Sequence, residues 1–306
     1  MKKKICLILP VYNNEGSLKL LYNRLTETLK KIKNCKYKLI FVDDGSEDRS
    51  KLILERISKS DTSAVSIFLS KNYGQATALL AGFNNANGDF IGTLDADLED
   101  PPELINKMLS FLNDNEFDVV IAERNKTESS LFRKILSYTA HKLIRIGIYN
   151  YPKKGFNFWI MKKNSFKELL RITNGYCQFD IYKLDLKIKT ILYNRNKSFN
   201  VKSQQNTFNL FTNFFEMIAP AIEKILKFFI LFGILIFIFS FINIIIIIGQ
   251  HFFLANFEKD LRILIVYISL FGGLNILMLG VLGIYLTRTK KDIPTYRISK
   301  IINNSK

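Results

Sequence analysis

The stretch Leu94-Asp95-Ala96-Asp97-Leu98-Glu99-Asp100-Pro101-Pro102-Glu103 decides the fold prediction for this chain. It follows an apolar, β-favouring run at residues 89–94, and its Pro pair suits the start of a helix. Asp95, Asp97 and Glu99 would therefore stand on the loop that leaves the carboxyl end of a strand, and alternation along the chain turns them roughly the same way. Clustered oxygen ligands without His or Cys suit Mg²⁺ or Mn²⁺. A solvated acidic turn is the alternative, and the neighbouring loops decide between the two.

Three further apolar runs each end in a polar loop that contains Gly or Asn. The predicted strands are Ile5–Leu9, Tyr37–Val42 and Val65–Leu69, with helical patterns between them. The loops that follow are PVYNNE from residue 10, DDGS from residue 43 and SKNYGQ from residue 70. This alternation predicts an α/β fold with a parallel sheet, whose ligands bind at the carboxyl ends of the strands.

With these four loops in order, the chain resembles the family 2 glycosyltransferases of GT-A fold. It is most similar to their membrane-anchored branch, which contains dolichyl-phosphate mannose synthase and bacterial polyprenyl-phosphate glycosyltransferases. The motifs PVYNNE, DDGS, KNYGQ and LDADLEDPPE carry the resemblance over roughly residues 4–200, and it resumes at GIYLTR from residue 283 and PTYR from residue 294. The resemblance implies a Rossmann-like, mostly parallel catalytic domain that uses a nucleotide-sugar donor.

The resemblance also implies roles for single side chains. Asp97 would hold the divalent cation, which neutralises the charge on the leaving diphosphate. Asp95 would face the ribose or the water shell of the metal. Glu99 stands where this branch commonly has Gln, so it would add a third metal ligand or shift the metal preference. The residues that would bind the base and ribose of the donor are Pro10, Tyr12, Glu15 and Asp44.

The expected acceptor is polyprenyl phosphate, undecaprenyl phosphate in particular. A phosphate monoester has a second pKa near ~6 and is largely ionised at neutral pH, so its oxygen needs positioning by cations rather than a strong base. Arg124, after the predicted strand Asp118–Ala122, is the first candidate clamp. Weaker candidates, for which a solvated basic face is the alternative, are Arg133, Arg195 and Lys202.

Asn157 departs from the pattern of the family. It lies in the segment GFNFWIM from residue 155, where related sequences usually carry an Asp. Asn keeps a hydrogen bond but cannot take a proton, which would matter for a hydroxyl acceptor and less for an anionic phosphate. The departure also leaves open a degenerate, non-catalytic membrane scaffold.

Two long apolar runs near the C-terminal end predict a membrane hairpin. Phe228–Gly249 has 22 residues without a charge and Ile263–Thr287 has 25. Either run would cross a hydrocarbon core of about 30 Å. The segment Arg288–Lys306 carries six Lys and Arg residues against one Asp. By the positive-inside rule, the catalytic domain lies on the cytoplasmic side of the inner membrane and the connector Gln250–Arg262 lies outside.

The predicted organisation therefore has four parts. Residues 1–203 form the catalytic domain, residues 204–227 a juxtamembrane amphipathic segment, residues 228–249 and 263–287 two transmembrane helices, and residues 288–306 a basic tail. Basic, aromatic amphipathic helices are expected at Ser129–Tyr149 and Thr207–Lys227, and such helices lie on anionic membranes.

Composition narrows the function classes. Three Cys residues without metal spacing favour a reducing compartment, and the short apolar run after Met1 is not a signal peptide. A net charge of +17 invites a nucleic-acid partner, but no nucleic-acid-binding motif accompanies it. The expected partners are the donor, the lipid acceptor and membrane lipids, with a homo-oligomer left open. A polymerising synthase is the second enzyme class, and its Q-x-x-R-W motif is absent.

Overall fold

The computed structural model describes residues 2–114, 116–125, 142, 145, 156–173, 175, 177–194, 207–253, 260–289 and 296–304. Within the two long C-terminal helices, side chains are described for residues 226–249, 264–284 and 286. The chain divides into two units. One holds a β-sheet with its helices and residues 296–304, and the other holds almost all of the two long helices.

Strands and helices alternate over the first part of the sheet unit. These elements are β1 (Lys3–Val11), α1 (Glu15–Lys30), β2 (Cys35–Asp43), α2 (Ser50–Ser60), β3 (Ala64–Leu69), α3 (Gln75–Phe83), β4 (Phe90–Thr93), α4 (Leu104–Asn113) and β5 (Val119–Arg124). The remaining elements are β6 (Phe158–Lys162), α5 (Lys163–Ile172), the single turn α6 (Cys177–Asp180), a 3-10 turn (Ile181–Lys183), β7 (Ile188–Tyr193) and β8 (Ile298–Asn303).

Among the described residues the strands form one eight-stranded sheet in the order β7-β5-β6-β4-β1-β2-β3-β8. Strands β4, β1, β2 and β3 are parallel neighbours, as are β5 and β7. Strand β6 runs antiparallel to β4 and β5, and β8 runs antiparallel to β3. The fold prediction is confirmed: a mostly parallel α/β sheet is followed by two long apolar helices.

Both faces of the sheet are covered, so the central strands read as continuous apolar runs rather than as alternating ones. Successive residues of β1 enter opposite apolar layers: Ile5 and Leu7 belong to one and Cys6 and Ile8 to the other. Helix α1 adds leucines at helical spacing to the first layer, namely Leu18, Leu21, Leu25 and Leu29. These layers hold the strands rigidly and fix where their loops begin.

The sequence patterns located the first five strands but missed the later ones. Strands β6, β7 and β8 were not predicted as strands. Strand β8 lies inside residues 288–306, which we expected to form only a basic tail. The sheet unit therefore includes a strand that the boundary at residue 203 leaves out.

The helical unit consists of α7 (Thr207–Phe253) and α8 (Asp260–Thr289). Each contains a stretch long and apolar enough to cross a membrane, Leu226–Gly249 in α7 and Leu264–Ile284 in α8. Only 11% and 17% of these windows are buried, whereas the core helix of a soluble protein is mostly buried. The amphipathic segment predicted at Thr207–Lys227 is the first part of α7, and its side chains up to residue 225 lie outside the described ones. Of the amphipathic helix predicted at residues 129–149, only 142 and 145 are described, and both are helical.

Small residues bring α7 and α8 into close contact. A Cβ added at Gly273 would lie 3.0 Å from the backbone nitrogen of Phe237 and 3.1 Å from the carbonyl oxygen of Gly233. Nearby, the Ser240 hydroxyl donates to the Ser269 Oγ across 2.7 Å. Small residues of this kind allow helices to pack where lipid supplies no hydrophobic drive for association.

Candidate active site

A cavity of about 320 Å³ opens at the carboxyl ends of the parallel strands. Its volume falls in the range of small-molecule sites. The loops after β1, β2, β3 and β4 all contribute to it. The lining residues are Pro10, Val11, Tyr12, Asn14, Asp44, Asn72, Gly74, Gln75, Asp95, Ala96 and Asp97.

The first two loops are tied to each other by side chains that accept backbone hydrogen bonds. The Asn13 nitrogen donates to the Ser46 hydroxyl over 3.0 Å, and the Glu47 nitrogen donates to Asn13 Oδ1 over 2.9 Å. The Glu15 carboxylate accepts from the Arg49 nitrogen over 2.9 Å. Glu15 is thus placed between the loops rather than in the cavity lining, whereas Pro10, Tyr12 and Asp44 line the cavity.

Asp44 is held by the third loop. Its Oδ1 accepts from the Tyr73 nitrogen and its Oδ2 from the Gly74 nitrogen, each over 2.8 Å. Burial raises the pKa of Asp44, although these two amides oppose the shift. Gly45 makes the approach of the loops possible: it has φ +71°, and a Cβ there would lie 2.5 Å from the Lys71 carbonyl carbon.

Asp95 is fixed by two side-chain amides. Gln75 Nε2 donates to its Oδ1 over 2.8 Å, and Asn157 Nδ2 donates to its Oδ2 over 2.7 Å. Burial raises the pKa of Asp95 to about 7, and the negative charges of Asp100 and Asp97 add to the shift. A cation beside this carboxylate would reduce the electrostatic repulsion among Asp95, Asp97 and Asp100.

The chain turns sharply after Asp97. Leu98 is buried and has φ +64°, a conformation that costs free energy for a branched side chain. The Glu99 nitrogen donates to Asp97 Oδ1 over 3.0 Å across this turn. The expected alternation therefore ends at Leu98, so that Asp95 and Asp97 line the cavity while the Glu99 side chain is buried outside the lining.

The oxygen ligands that the protein offers fit a hard divalent cation whose remaining coordination positions are filled by substrate. Among the described residues no group of three or more His, Cys, Asp or Glu side chains forms a ready metal site. A carboxylate that lines an open cavity suits Mg²⁺ or Mn²⁺, which take further oxygens from phosphates and water. Asp97 has that position.

Arg124 is enclosed by protein partners. Its Nη2 lies 3.3 Å from Asp100 Oδ1 and 3.9 Å from Asp95 Oδ2, and its Nε donates to the Tyr193 hydroxyl over 3.2 Å. The Tyr193 hydroxyl in turn donates to Asp100 Oδ1. The guanidinium is therefore fixed beside the acidic loop.

The structure adds residues to the predicted site and leaves some predictions untouched. The cavity also contains Asn72, Gly74 and Gln75 of the KNYGQ motif, to which the sequence analysis gave no individual roles. Asp100 lies within the acidic stretch itself, and no sequence signal marks Tyr193. Arg195 and Lys202, together with Arg133, lie outside the described residues.

Comparison with known proteins places the chain in a family. The family model described as Glycosyl transferase family 2 matches residues 6–180. The undecaprenyl-phosphate 4-deoxy-4-formamido-L-arabinose transferase of Photorhabdus laumondii is 42% identical over 143 residues, which is 46% of this chain and 42% of that protein. The protein of the same name from Proteus mirabilis is 42% identical over 142 residues, with the same two shares. The chain thus spans less than half the length of these relatives.

Among solved structures, the mannosyltransferase PcManGT from Pyrobaculum calidifontis, in complex with GDP-Man and Mn²⁺, matches with a TM-score of 0.49 at 11% identity. The match covers 96% of this chain and 77% of that one. A likeness at this level carries no argument about ligands. The family model, in contrast, covers more than half of the 306 residues and includes all four cavity loops. The chain belongs to glycosyl transferase family 2.

Proposed function

We propose that this protein is an inverting glycosyltransferase that moves a sugar from a nucleotide-sugar donor to polyprenyl phosphate at the cytoplasmic face of the inner membrane. The observation that carries the proposal is a single cavity lined by both Asp44 and the Asp95–Asp97 pair. The cavity lies at the carboxyl ends of parallel strands, where α/β sheets bind nucleotides.

The nucleoside part of the donor would bind between the first three loops. Each Asp44 oxygen already accepts one backbone N–H, and a carboxylate oxygen has a second lone pair to offer. Asp44 can therefore accept a hydroxyl or base N–H of the donor without losing its amide contacts. Pro10 and Tyr12 supply apolar surface beside it.

The diphosphate would lie toward the acidic loop. A divalent cation bound at Asp97 would neutralise the charge that develops on the leaving nucleoside diphosphate, so no protonating acid is needed. Asp95, fixed by Gln75 and Asn157, would accept a hydroxyl of the donor or a water of the cation. Both Mg²⁺ and Mn²⁺ suit these oxygen ligands.

The acceptor follows from the chemistry and from the apolar helices. A polyprenyl phosphate oxygen, already ionised, attacks the anomeric carbon on the face opposite the diphosphate. The new C–O bond forms as the bond to the diphosphate breaks, so the configuration inverts and no proton has to be removed. Arg124 offsets the charge of Asp95 and lets an anionic acceptor approach. Arg195 and Lys202 remain proposed phosphate contacts. The similarity to the undecaprenyl-phosphate 4-deoxy-4-formamido-L-arabinose transferases is in line with this acceptor.

Membranes that contain the protein, incubated with undecaprenyl phosphate and a panel of radiolabelled nucleotide-sugars, test the proposal. Thin-layer chromatography should show a lipid-linked monosaccharide with at least one donor, and membranes with Asp97→Ala should not form it. A polymer would favour the synthase alternative. The absence of any lipid product across the whole panel would favour the scaffold alternative.

A further inference from the structure

Strand β8 is an edge strand of the sheet, and its beginning lies beside the third loop, which follows β3. It pairs with β3 from Val65↔Asn303 to Phe68↔Lys300, and the register shifts between Phe68 and Leu69. Beyond the shift, the Ser70 nitrogen donates to the Arg297 carbonyl over 2.9 Å. The Ser299 hydroxyl donates to the Phe68 carbonyl over 3.0 Å. The first residues of β8 therefore hold the point where the third loop begins.

A second contact holds the far end of the same segment. Asn84, directly after α3, donates from its Nδ2 to the Tyr296 hydroxyl over 2.8 Å. The Tyr296 and Ile298 side chains pack against the same apolar layer that Tyr73 joins. The residues before and in β8 thus contact both ends of residues 70–84.

Residues 70–84 supply groups that hold two of the three carboxylates lining the cavity. The Tyr73 and Gly74 amides hold Asp44, and the Gln75 side chain holds Asp95. Within the loop, the hydroxyls of Ser70 and Tyr73 form a hydrogen bond of 2.9 Å. An element that fixes this segment also fixes the donor-binding geometry.

We propose that Tyr296 and the β8 residues Ser299 and Ile298 are positioning residues of the donor site. They act through residues 70–84. This role rests on the proposed function only in taking the bound ligand to be a nucleotide. The competing account is that β8 simply covers the exposed edge of β3. In that account its loss affects overall stability and not the third loop in particular.

Lys300 separates the two accounts. It belongs to the same strand, but its ammonium pairs with Glu55 on α2 over 2.8 Å, away from the third loop. Lys300→Ala therefore removes an edge contact and leaves the contacts to residues 70–84 in place. It is the matched control for the double variant Tyr296→Ala/Ser299→Ala.

Hydrogen exchange on the full-length protein in nanodiscs is the first readout. The double variant should speed exchange of the Tyr73 and Gly74 amides at least tenfold, whereas Lys300→Ala should leave them within twofold. The Leu7 amide, in the centre of the sheet, should be unchanged in both and reports the global fold. Unchanged Tyr73 and Gly74 amides in the double variant, or equal acceleration of all three amides, would overturn the proposal.

Binding of the fluorescent methylanthraniloyl derivatives of UDP and GDP is the second readout. The dissociation constant of whichever probe the wild-type protein binds should rise at least fivefold in the double variant and less than twofold in Lys300→Ala. Faster exchange with unweakened binding would refute the positioning role. If the wild-type protein binds neither probe, the proposed function is in question, while the exchange result still decides the role of β8.

Discussion

At the scale of single side chains, the acidic loop brings two carboxylates to the cavity, Asp95 and Asp97, and we assign them different roles. Both oxygens of Asp95 accept a side-chain amide, from Gln75 and Asn157, and Asp97 Oδ1 accepts the Glu99 nitrogen, while both residues line the cavity. Two amide donors fix the orientation of a carboxylate and occupy part of its capacity to accept. We expect Asp95, held by these two amides, to orient the donor, and Asp97 to ligate the cation, as the resemblance to the family implies.

The Asp97→Ala variant tests this division. It should lower transfer to polyprenyl phosphate at least 100-fold and remove its dependence on added Mn²⁺ or Mg²⁺, because the cation loses its protein ligand. Initial rates across a metal titration, with and without chelator, measure both effects. Asp114→Ala, an exposed carboxylate after α4, is the control and should leave the rate within twofold. Full turnover by Asp97→Ala, or in excess chelator, would rule out this metal assignment.

Asn157 and Arg124 give a second test at this scale. Asn157→Asp would place a second carboxylate within about the same 2.7 Å of Asp95. A cation or a shared proton can relieve the repulsion between the two carboxylates, so the transfer rate should fall less than tenfold. Arg124→Lys should lower it more than tenfold, because an ammonium cannot match the planar fork that contacts Asp100 and Tyr193. Lys is preferred to Ala here, since leaving Asp100 buried and unpaired costs about 3–5 kcal/mol.

The order of the transfer rates of these two variants distinguishes a phosphate acceptor from a hydroxyl acceptor. Melting temperatures show whether each variant is folded. A large gain in turnover with Asn157→Asp, beside a small effect of Arg124→Lys, would point to a hydroxyl acceptor that needs a base. The polyprenyl-phosphate proposal would then have to be withdrawn.

At the scale of elements, the helix pair α7–α8 depends on close backbone contact at Gly273. Gly273→Leu should force the helices apart, because even a Cβ there meets the Phe237 nitrogen at 3.0 Å. Gly272→Leu is the matched control, since nothing lies within 4 Å of its added Cβ. Cysteines at Ser240 and Ser269, whose hydroxyls are 2.7 Å apart, should form a disulfide in the parent and in Gly272→Leu but not in Gly273→Leu. A maleimide-polyethylene glycol mass shift measures the free thiols.

Equal cross-linking in both glycine variants would show that the small-residue contact does not hold the pair together. Equal loss in both would show that any bulky residue in this part of α8 disturbs the helix.

The elements that the sequence reveals are those with local patterns. Apolar runs followed by Gly- and Asn-bearing loops marked β1 to β4, and helical patterns were predicted between them. Strand β8 escaped because ISKIIN has weak alternation and its partner lies 231 residues away in the chain, as the Ser299–Phe68 bond shows. The same limit applies in the site: PVYNNE, DDGS and DADLED predicted which loops meet, but the amides on Asp95 depend on tertiary packing.

At the scale of the whole molecule, β8 restricts the membrane topology. It pairs with β3, so residues 298–303 lie on the same side of any membrane as the sheet. The chain between Tyr193 and Tyr296 must then cross the membrane an even number of times, and the two apolar helices satisfy this. The pairing does not say which side that is, and it agrees with the positive-inside expectation only in placing residues 298–303 on the side of the catalytic domain.

Cysteine labelling tests the arrangement. In a Cys35→Ser background, Asn256→Cys in the connector should react with an impermeant maleimide added to intact cells. Lys167→Cys, exposed on α5, should react only after the membrane is opened. The reverse pattern would place the sheet unit outside and would remove its access to cytoplasmic nucleotide-sugars.

The position of β8 also orders events during synthesis. Synthesis of β3 is complete at residue 69. The strand that covers its edge is complete only at residue 303, after both apolar helices have been translated. Throughout that interval the sheet presents an unpaired edge, the feature that most readily recruits a foreign strand. The edge closes only when residues 298–303 are available to pair with β3, so maturation of the sheet waits for the helices. Ribosome-bound chains that stop before residue 296 should therefore depend more on chaperones than chains that include β8.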